Sequence, residues 1–369
     1  MIKMSSPVLG DTAEKYILDC VRSKEISIQG KYIDQFSEFL CKYIGKKYCV
    51  LMNSGTSALH MALLCGKISK GDEVIVPSFS YIATVNPVEY CNGKVVLIDS
   101  ETDTWNMCPH EFEKNINKKT KAIIATSIYG NPAKLEELRR ICDKHGILMI
   151  EDACESLGSE RLGRKTGNYG DITALSFNGN KIISTGGGGA FLTDNKKYYE
   201  KCLYLSSQAK DEPGKYFHSE TGYNYLMNNM QAALGFSQLE KIEETLKIKR
   251  RYAEFYSERF GKYEFLDTHK EFTENINSFW LYSLGIPIST NEKLRFFMKN
   301  QGIETTPMFT PIHRMPLYKS SYEKFINCEK IYPSRINLPC HPSLKDRDID
   351  MIIDKLIEFF QNQENKNGK

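Results

Sequence analysis

The chain has 369 residues, with 49 Lys and Arg against 46 Asp and Glu, a formal net charge of +3. A balance this even speaks against a dedicated binder of nucleic acid or anionic membrane, which carries a basic stripe or excess. Hydrophobic residues at 41% and charged residues at 26% are ordinary for a soluble globular protein, and the length suits a large domain with a smaller partner.

Residues 1–10 lack the apolar core of a signal peptide, and no stretch approaches the ~18 apolar residues of a membrane span. From residue 45 to 195, apolar runs alternate with helix-period segments. Residues 74–77, 95–99, 122–126 and 147–150 read as buried strands, and 133–145 as a helix before the last of them. That alternation predicts an α/β domain with a mostly parallel sheet covered on both faces. Each strand ends in a polar or special residue, and ligands bind at the carboxyl ends of strands in such sheets. Residues 237–260 then read as one long charged helix leading into a smaller α+β part. That part has strand-like 280–288, helix-like 292–300, a Pro-rich stretch over 307–316 and a last helix near 348–360. The expected division is a large domain over 1–240 and a small one over 241–369, with 361–369 frayed. Eleven cysteines, an odd number without Cys-x-x-Cys spacing, predict reduced thiols in a cytoplasmic protein and no metal site.

Three motifs carry chemistry. Asn53-Ser54-Gly55-Thr56-Ser57-Ala58-Leu59 opens a helix pattern; its small residues either leave backbone N–H groups for a phosphate or merely cap the helix. Glu151-Asp152-Ala153 leaves a buried strand, where a carboxylate meets a metal, a ribose or a protonated ring nitrogen, or caps the next helix. Ser176-Phe177-Asn178-Gly179-Asn180-Lys181 precedes Gly186-Gly187-Gly188-Gly189, lacks the order of a P-loop and is followed by a strand-like run. Lys181 is then either a solvated loop lysine or a Schiff-base lysine. A phosphate cradle, a strand-end aspartate and a lysine 29 residues beyond it are together the parts of a pyridoxal 5′-phosphate (PLP) site.

With these stand Gly30-Lys31-Tyr32-Ile33-Asp34, Pro77-Ser78-Phe79-Ser80-Tyr81-Ile82-Ala83-Thr84, Gly222-Tyr223-Asn224-Tyr225 and Pro311-Ile312-His313-Arg314-Met315-Pro316-Leu317-Tyr318. In that combination, over nearly its whole length, the chain resembles the DegT/DnrJ/EryC1/StrS sugar-nucleotide aminotransferases, and among them those that aminate C4. The resemblance implies a fold type I PLP-dependent transferase with aspartate-aminotransferase architecture. It implies Lys181 as the Schiff-base lysine and proton carrier, Asp152 at the pyridine nitrogen and Glu155 near the 3′-oxygen. Tyr81 would stack on the ring, and Gly55, Thr56 and Ser176 would hold the phosphate. Asn224 would reach the phosphate of a neighbouring subunit, giving a homodimer with shared sites. His313 would face the sugar and Lys31 the pyrophosphate; without the family, a lone histidine in a Pro-rich loop is more often structural. Two positions depart from many relatives: Leu226 stands where they have arginine, and residues 186–189 lack their glutamate.

The implied reaction moves the amino group of L-glutamate to C4 of a dTDP-, GDP- or UDP-linked 4-keto-6-deoxyhexose for O-antigen or other surface polysaccharide. It leaves 2-oxoglutarate, with pyridoxamine phosphate (PMP) as the second cofactor form. A C3-aminotransferase acting on a 3-keto sugar would share every cofactor motif. A sugar 3-dehydratase is disfavoured, because relatives with that activity usually have histidine where Lys181 stands. A non-catalytic regulator of the same fold would need an added DNA-binding segment, for which neither charge nor length leaves obvious room.

Overall fold

The computed structural model describes residues 1–212, 215–268, 272–318 and 322–367. Seven strands form the central sheet: β1 (Tyr48–Met52), β2 (Glu73–Pro77), β3 (Lys94–Ile98), β4 (Thr120–Thr126), β5 (Leu148–Asp152), β6 (Ile172–Ser176) and β7 (Gly189–Thr193). Their order is β1–β7–β6–β5–β4–β2–β3, and only β7 runs against its neighbours. The apolar runs explain the layering. Val74, Ile75, Val76, Ala122, Ile123 and Ile124 are all inaccessible to solvent, so side chains on both faces of these strands need helical cover. The strands expected from the sequence match the observed ones to within two residues at either end.

Residues 237–260, read as one helix, form parts of two: Asn229–Leu239 and Ile242–Phe260. Asn228 caps the first, accepting from Gln231 N while the Gln231 side chain reaches back, a start signal upstream of the apolar spacing. This helix packs on helices Asp11–Ser23 and Lys31–Ile44, and a Cβ on Gly235 would meet the Phe36 ring at 2.5 Å. The second helix joins two cores. Ile242 and Leu246 remain in the first, whereas Tyr252, Tyr256 and Phe260 pack with Leu284, Ile336, Leu338, Ile352 and Leu356. The helices part at Glu240 and Lys241, and the change of core falls inside the second helix, between Leu246 and Tyr252.

The second core holds a three-stranded antiparallel sheet, with Arg335–Leu338 between Tyr282–Gly285 and Thr306–Pro307. The strand expected over 280–288 is confined to Tyr282–Gly285, because Pro287 removes a ladder donor and the 3₁₀ turn Ile288–Thr290 follows. The last helix is Asp346–Asn367, so residues 361–367 are helical where fraying was expected, and 368–369 lie outside the described residues. Gln, Glu and Lys in that stretch are good helix formers. Among the described residues no helix is long and apolar enough to cross a membrane, and no cluster of three or more His, Cys, Asp or Glu could hold a metal ion.

Candidate active site

The register of β1, β7 and β6 brings Met52, Gly189 and Ser176 level with one another, beside the start of helix Gly55–Cys65. Ser54 caps that helix: its hydroxyl accepts from Ser57 N at 3.0 Å, and the Ser57 hydroxyl accepts from Ser54 N at 3.1 Å. The cap and the phosphate cradle are therefore not rival readings. Ser54 does the capping, and the N–H groups of Gly55 and Thr56 remain at the open helix start, where an anion is favoured.

Glycine makes this close approach feasible. A Cβ on Gly55 would lie 2.8 Å from Cys154 Sγ and 2.9 Å from Ser176 Cβ, and one on Gly189 would lie 2.4 Å from the Ser54 carbonyl carbon. The contact at Gly189 is with backbone, so it cannot be relieved by a rotamer change. Gly189→Ala is expected to destabilise the protein by about 1–3 kcal/mol and to weaken PLP retention. Thermal scans, and cofactor absorbance remaining after dialysis, would register both effects.

Glu151 and Asp152 are adjacent on β5 and so point to opposite faces. Glu151 is fully buried and accepts the backbone N–H groups of Gly167, Tyr169 and Gly170. Asp152 opens instead into a cleft of about 400 Å³. Thr84 Oγ1 donates to its Oδ2 at 2.8 Å and Cys154 N to its Oδ1 at 3.2 Å.

Lys181 enters the same cleft. Its Nζ lies 3.6 Å from Glu155 Oε1 and 3.7 Å from the centre of the Trp280 ring, a distance at which the ring face attracts an ammonium. The other Glu155 oxygen accepts Tyr129 N at 2.9 Å. Trp280 also steadies the loop, since its indole N–H donates to the carbonyl of Asn180 at 2.7 Å.

Burial pushes the Glu155 carboxyl from 4.5 up to about 6, against the opposing pull of Lys181 and the Tyr129 N–H. Because the folded value is the higher one, its contribution to stability is fully present below pH 4.5 and is lost as pH rises through about 6. At about pH 8 the ionised carboxyl thus costs roughly 2 kcal/mol. Glu155→Gln is expected to raise the melting temperature of the cofactor-free protein at about pH 8 and to leave it unchanged at about pH 4. Paired thermal scans at the two pH values check this.

Gly55, Thr56, Tyr81, Asp152, Glu155, Ser176 and Lys181 all line this one cleft. Tyr81 stands half-exposed, its ring 5.2 Å from that of Phe309. Three other candidates lie elsewhere. Asn224 is exposed on a bridge with Ser207, its carbonyl accepting from Asn53 Nδ2 at 3.1 Å. Lys31 is half-exposed and paired with Asp19 at 2.7 Å.

The placement of His313 corrects the expectation from the sequence. It does not line the cleft; it is fully buried, with Nδ1 2.7 Å from Ser78 Oγ and Nε2 2.8 Å from Glu329 Oε1. Its ring stacks on Phe325 at 4.2 Å. In this chain His313 clips the Pro-rich loop to the end of β2, the structural alternative for a lone histidine.

Sequence reasoning missed Trp280, Thr84, Tyr129 and Phe309. Trp280 and Phe309 are distant in sequence from the cofactor motifs, and both line the cleft. Thr84 was within a quoted motif, but its bond to Asp152 spans 68 residues. Tyr129 had one local clue, a polar end to β4, and its backbone is left-handed with φ of 54°.

The open helix start, the glycines where a Cβ would collide, the strand-end carboxylate and the amine facing it all fit PLP. On a mostly parallel seven-stranded sheet with one reversed strand, they define a fold type I PLP-dependent enzyme. Known proteins narrow the class. The DegT/DnrJ/EryC1/StrS aminotransferase family profile matches residues 7–357. A GDP-perosamine synthase of Escherichia coli O157:H7 is 36% identical over 363 residues, covering 98% of this chain and 99% of the relative. Helicobacter pylori PseC, an aminotransferase involved in the biosynthesis of pseudoaminic acid, has a TM-score of 0.92 at 26% identity, over 98% of this chain and 99% of that one. A Streptococcus pneumoniae protein described as a sugar aminotransferase, in its PMP form, has a TM-score of 0.94 over 100% of both chains; its 22% identity speaks to the fold. The chain belongs to the DegT/DnrJ/EryC1/StrS aminotransferase family and is a PLP-dependent sugar aminotransferase.

Proposed function

We propose that this protein transfers the amino group of L-glutamate to C4 of a nucleotide-activated 4-keto-6-deoxyhexose, as a cytoplasmic homodimer serving surface-polysaccharide synthesis. The observation that carries the reading is Lys181, held in one cleft with Asp152 and Glu155. It stands in a chain 36% identical, over 98% of its length, to a GDP-perosamine synthase.

PLP would be held at its phosphate by Gly55, Thr56 and Ser176, at its ring nitrogen by Asp152, at its 3′-oxygen by Glu155 and across its ring by Tyr81. When bound, it supplies an electron sink and carries the amino group between the two half-reactions. Asp152 holds the proton on the ring nitrogen, and Thr84 fixes the orientation of that carboxylate. Lys181 Nζ takes the proton from the α-carbon of the donor and, in the second half-reaction, returns a proton to C4 of the sugar. Glu155 and the Trp280 ring keep the free amine within reach of that carbon. The exposed face of Tyr81 and the neighbouring Phe309 form the mouth through which the sugar enters.

We assign Asn224 and Lys31 to the site of a neighbouring subunit. What supports this is that both lie outside their own chain's cleft with solvent-exposed side chains. We place the division between the large and small domains at 240/241; what supports it is the break between helices Asn229–Leu239 and Ile242–Phe260. If the sites are shared, mixed dimers of Lys181→Ala and Asn224→Ala recover activity that neither variant has alone. Equal inactivity of the mixture sinks the shared-site assignment.

The substrate test is a panel of dTDP-, GDP- and UDP-linked 4-keto sugars offered with glutamate, beginning with the GDP sugar. Conversion of one 4-keto sugar supports the reading. Conversion of 3-keto sugars alone replaces it with C3 amination.

A further inference from the structure

A dicarboxylic amino donor needs a cation for its second carboxylate, and among the described residues no Lys or Arg other than Lys181 lines the cofactor cleft. Behind Trp280 lies a second, more enclosed cavity of about 90 Å³, which shares Asn180, Lys181 and Trp280 with the cofactor cleft. The N-terminal segment, the start of helix Ile242–Phe260 and the turn at Cys340 and His341 form its other walls. A polar void of that size has room for several waters or for a carboxylate on a short chain.

Lys249 lines this chamber and is only 4% exposed. Its Nζ donates to the carbonyl of Trp280 at 3.4 Å and to the carbonyl of Cys340. An ammonium has three N–H donors, and among the described residues no Asp or Glu pairs with this one. His341, 8% exposed, lines the same chamber; its Nε2 donates to the carbonyl of Lys3 at 3.1 Å, and its Nδ1 has no partner. Ser237, Gln238 and Thr245 add further polar lining. A buried cation is costly unless an anion meets it, and among the described residues none does.

We infer that this chamber receives the distal carboxylate of the amino donor, with Lys249 as its cation. The inference rests on the aminotransferase reading. Asn180, Lys181 and Trp280 line both cavities, so a donor reacting at Lys181 stands against the wall that the two share. Burial lowers the pKa of Lys249, and a bound carboxylate opposes that fall.

The test follows the first half-reaction alone: PLP-loaded enzyme is mixed with L-glutamate or L-alanine, and conversion to the PMP form is read by absorbance. Lys249→Met is expected to lower the selectivity for glutamate over alanine about tenfold or more. A second variant, Thr245→Glu, places a competing carboxylate at a half-exposed wall position and is expected to lower the same ratio even if Lys249→Met does not fold. An unchanged ratio in the folded variants overturns the donor site while leaving aminotransfer intact. Failure of the wild-type enzyme to convert with any amino acid overturns the aminotransferase reading and this inference with it.

Discussion

Lys181→Ala is expected to reduce turnover by about 10⁴-fold or more, because one amine both attaches the cofactor and carries the proton. The structure makes a substitute hard to find. No other amine lines the cofactor cleft among the described residues, and the Lys181 amine is fixed from two sides, by Glu155 and by the face of Trp280. Its contacts are with Glu155 and Trp280 in the cleft rather than with either hydrophobic core, so the variant should fold. Borohydride reduction followed by peptide mapping should find the cofactor on Lys181 in the wild type and on no residue in the variant. Partial recovery of turnover with methylamine would confirm that a proton carrier is what was removed. Covalent retention together with full turnover would refute the assignment.

Asp152→Asn is the next largest effect, a fall of roughly 10²–10³ in the rate of amine transfer. The amide is isosteric and can still accept the Thr84 hydroxyl, so the cleft keeps its shape. It loses the negative charge that, in the proposed function, would hold a proton on the ring nitrogen. Glu151→Gln, one residue earlier, should behave in the opposite way. Glu151 accepts three backbone N–H groups away from the cleft, so its replacement should lower the melting temperature and leave the rate of the surviving enzyme near wild type. Single-turnover rates and thermal scans on the pair separate the two roles. Equal rate losses in both variants would mean that Asp152 acts only through the fold.

What the sequence could show followed from how local each signal was. The strands β2, β4 and β5 were legible because buried parallel strands are short apolar runs, and β3 carries the same kind of run although it is a half-buried edge strand. Ser54, Asp152 and Lys181 were legible because each sits where a strand ends or a loop carries a distinctive composition. The break between Leu239 and Ile242 was hidden, since apolar spacing continues across it and Leu239, Ile242 and Leu246 share one core. Trp280 was read as a strand residue, and only the chain's long-range folding carries its ring to Lys181. His313 shows the converse limit. A motif places it in the family's pattern, but Ser78 and Glu329, from separate elements, occupy both ring nitrogens in this chain.

The even charge balance takes on a meaning from the site. In the proposed function, a pyrophosphate-bearing substrate has no basic cluster to announce it in the sequence, so its recognition would fall to isolated groups, for which Lys31 is our candidate, and to open backbone amides. The most direct measurement combines ¹⁵N-labelled glutamate, the purified enzyme and a GDP-linked 4-keto-6-deoxyhexose, with the product read by ¹H–¹⁵N and ¹H–¹³C correlation. The label is predicted on C4 of the sugar, with loss of the label in Lys181→Ala. Label on C3, or a sugar that loses oxygen without gaining nitrogen, would contradict the account.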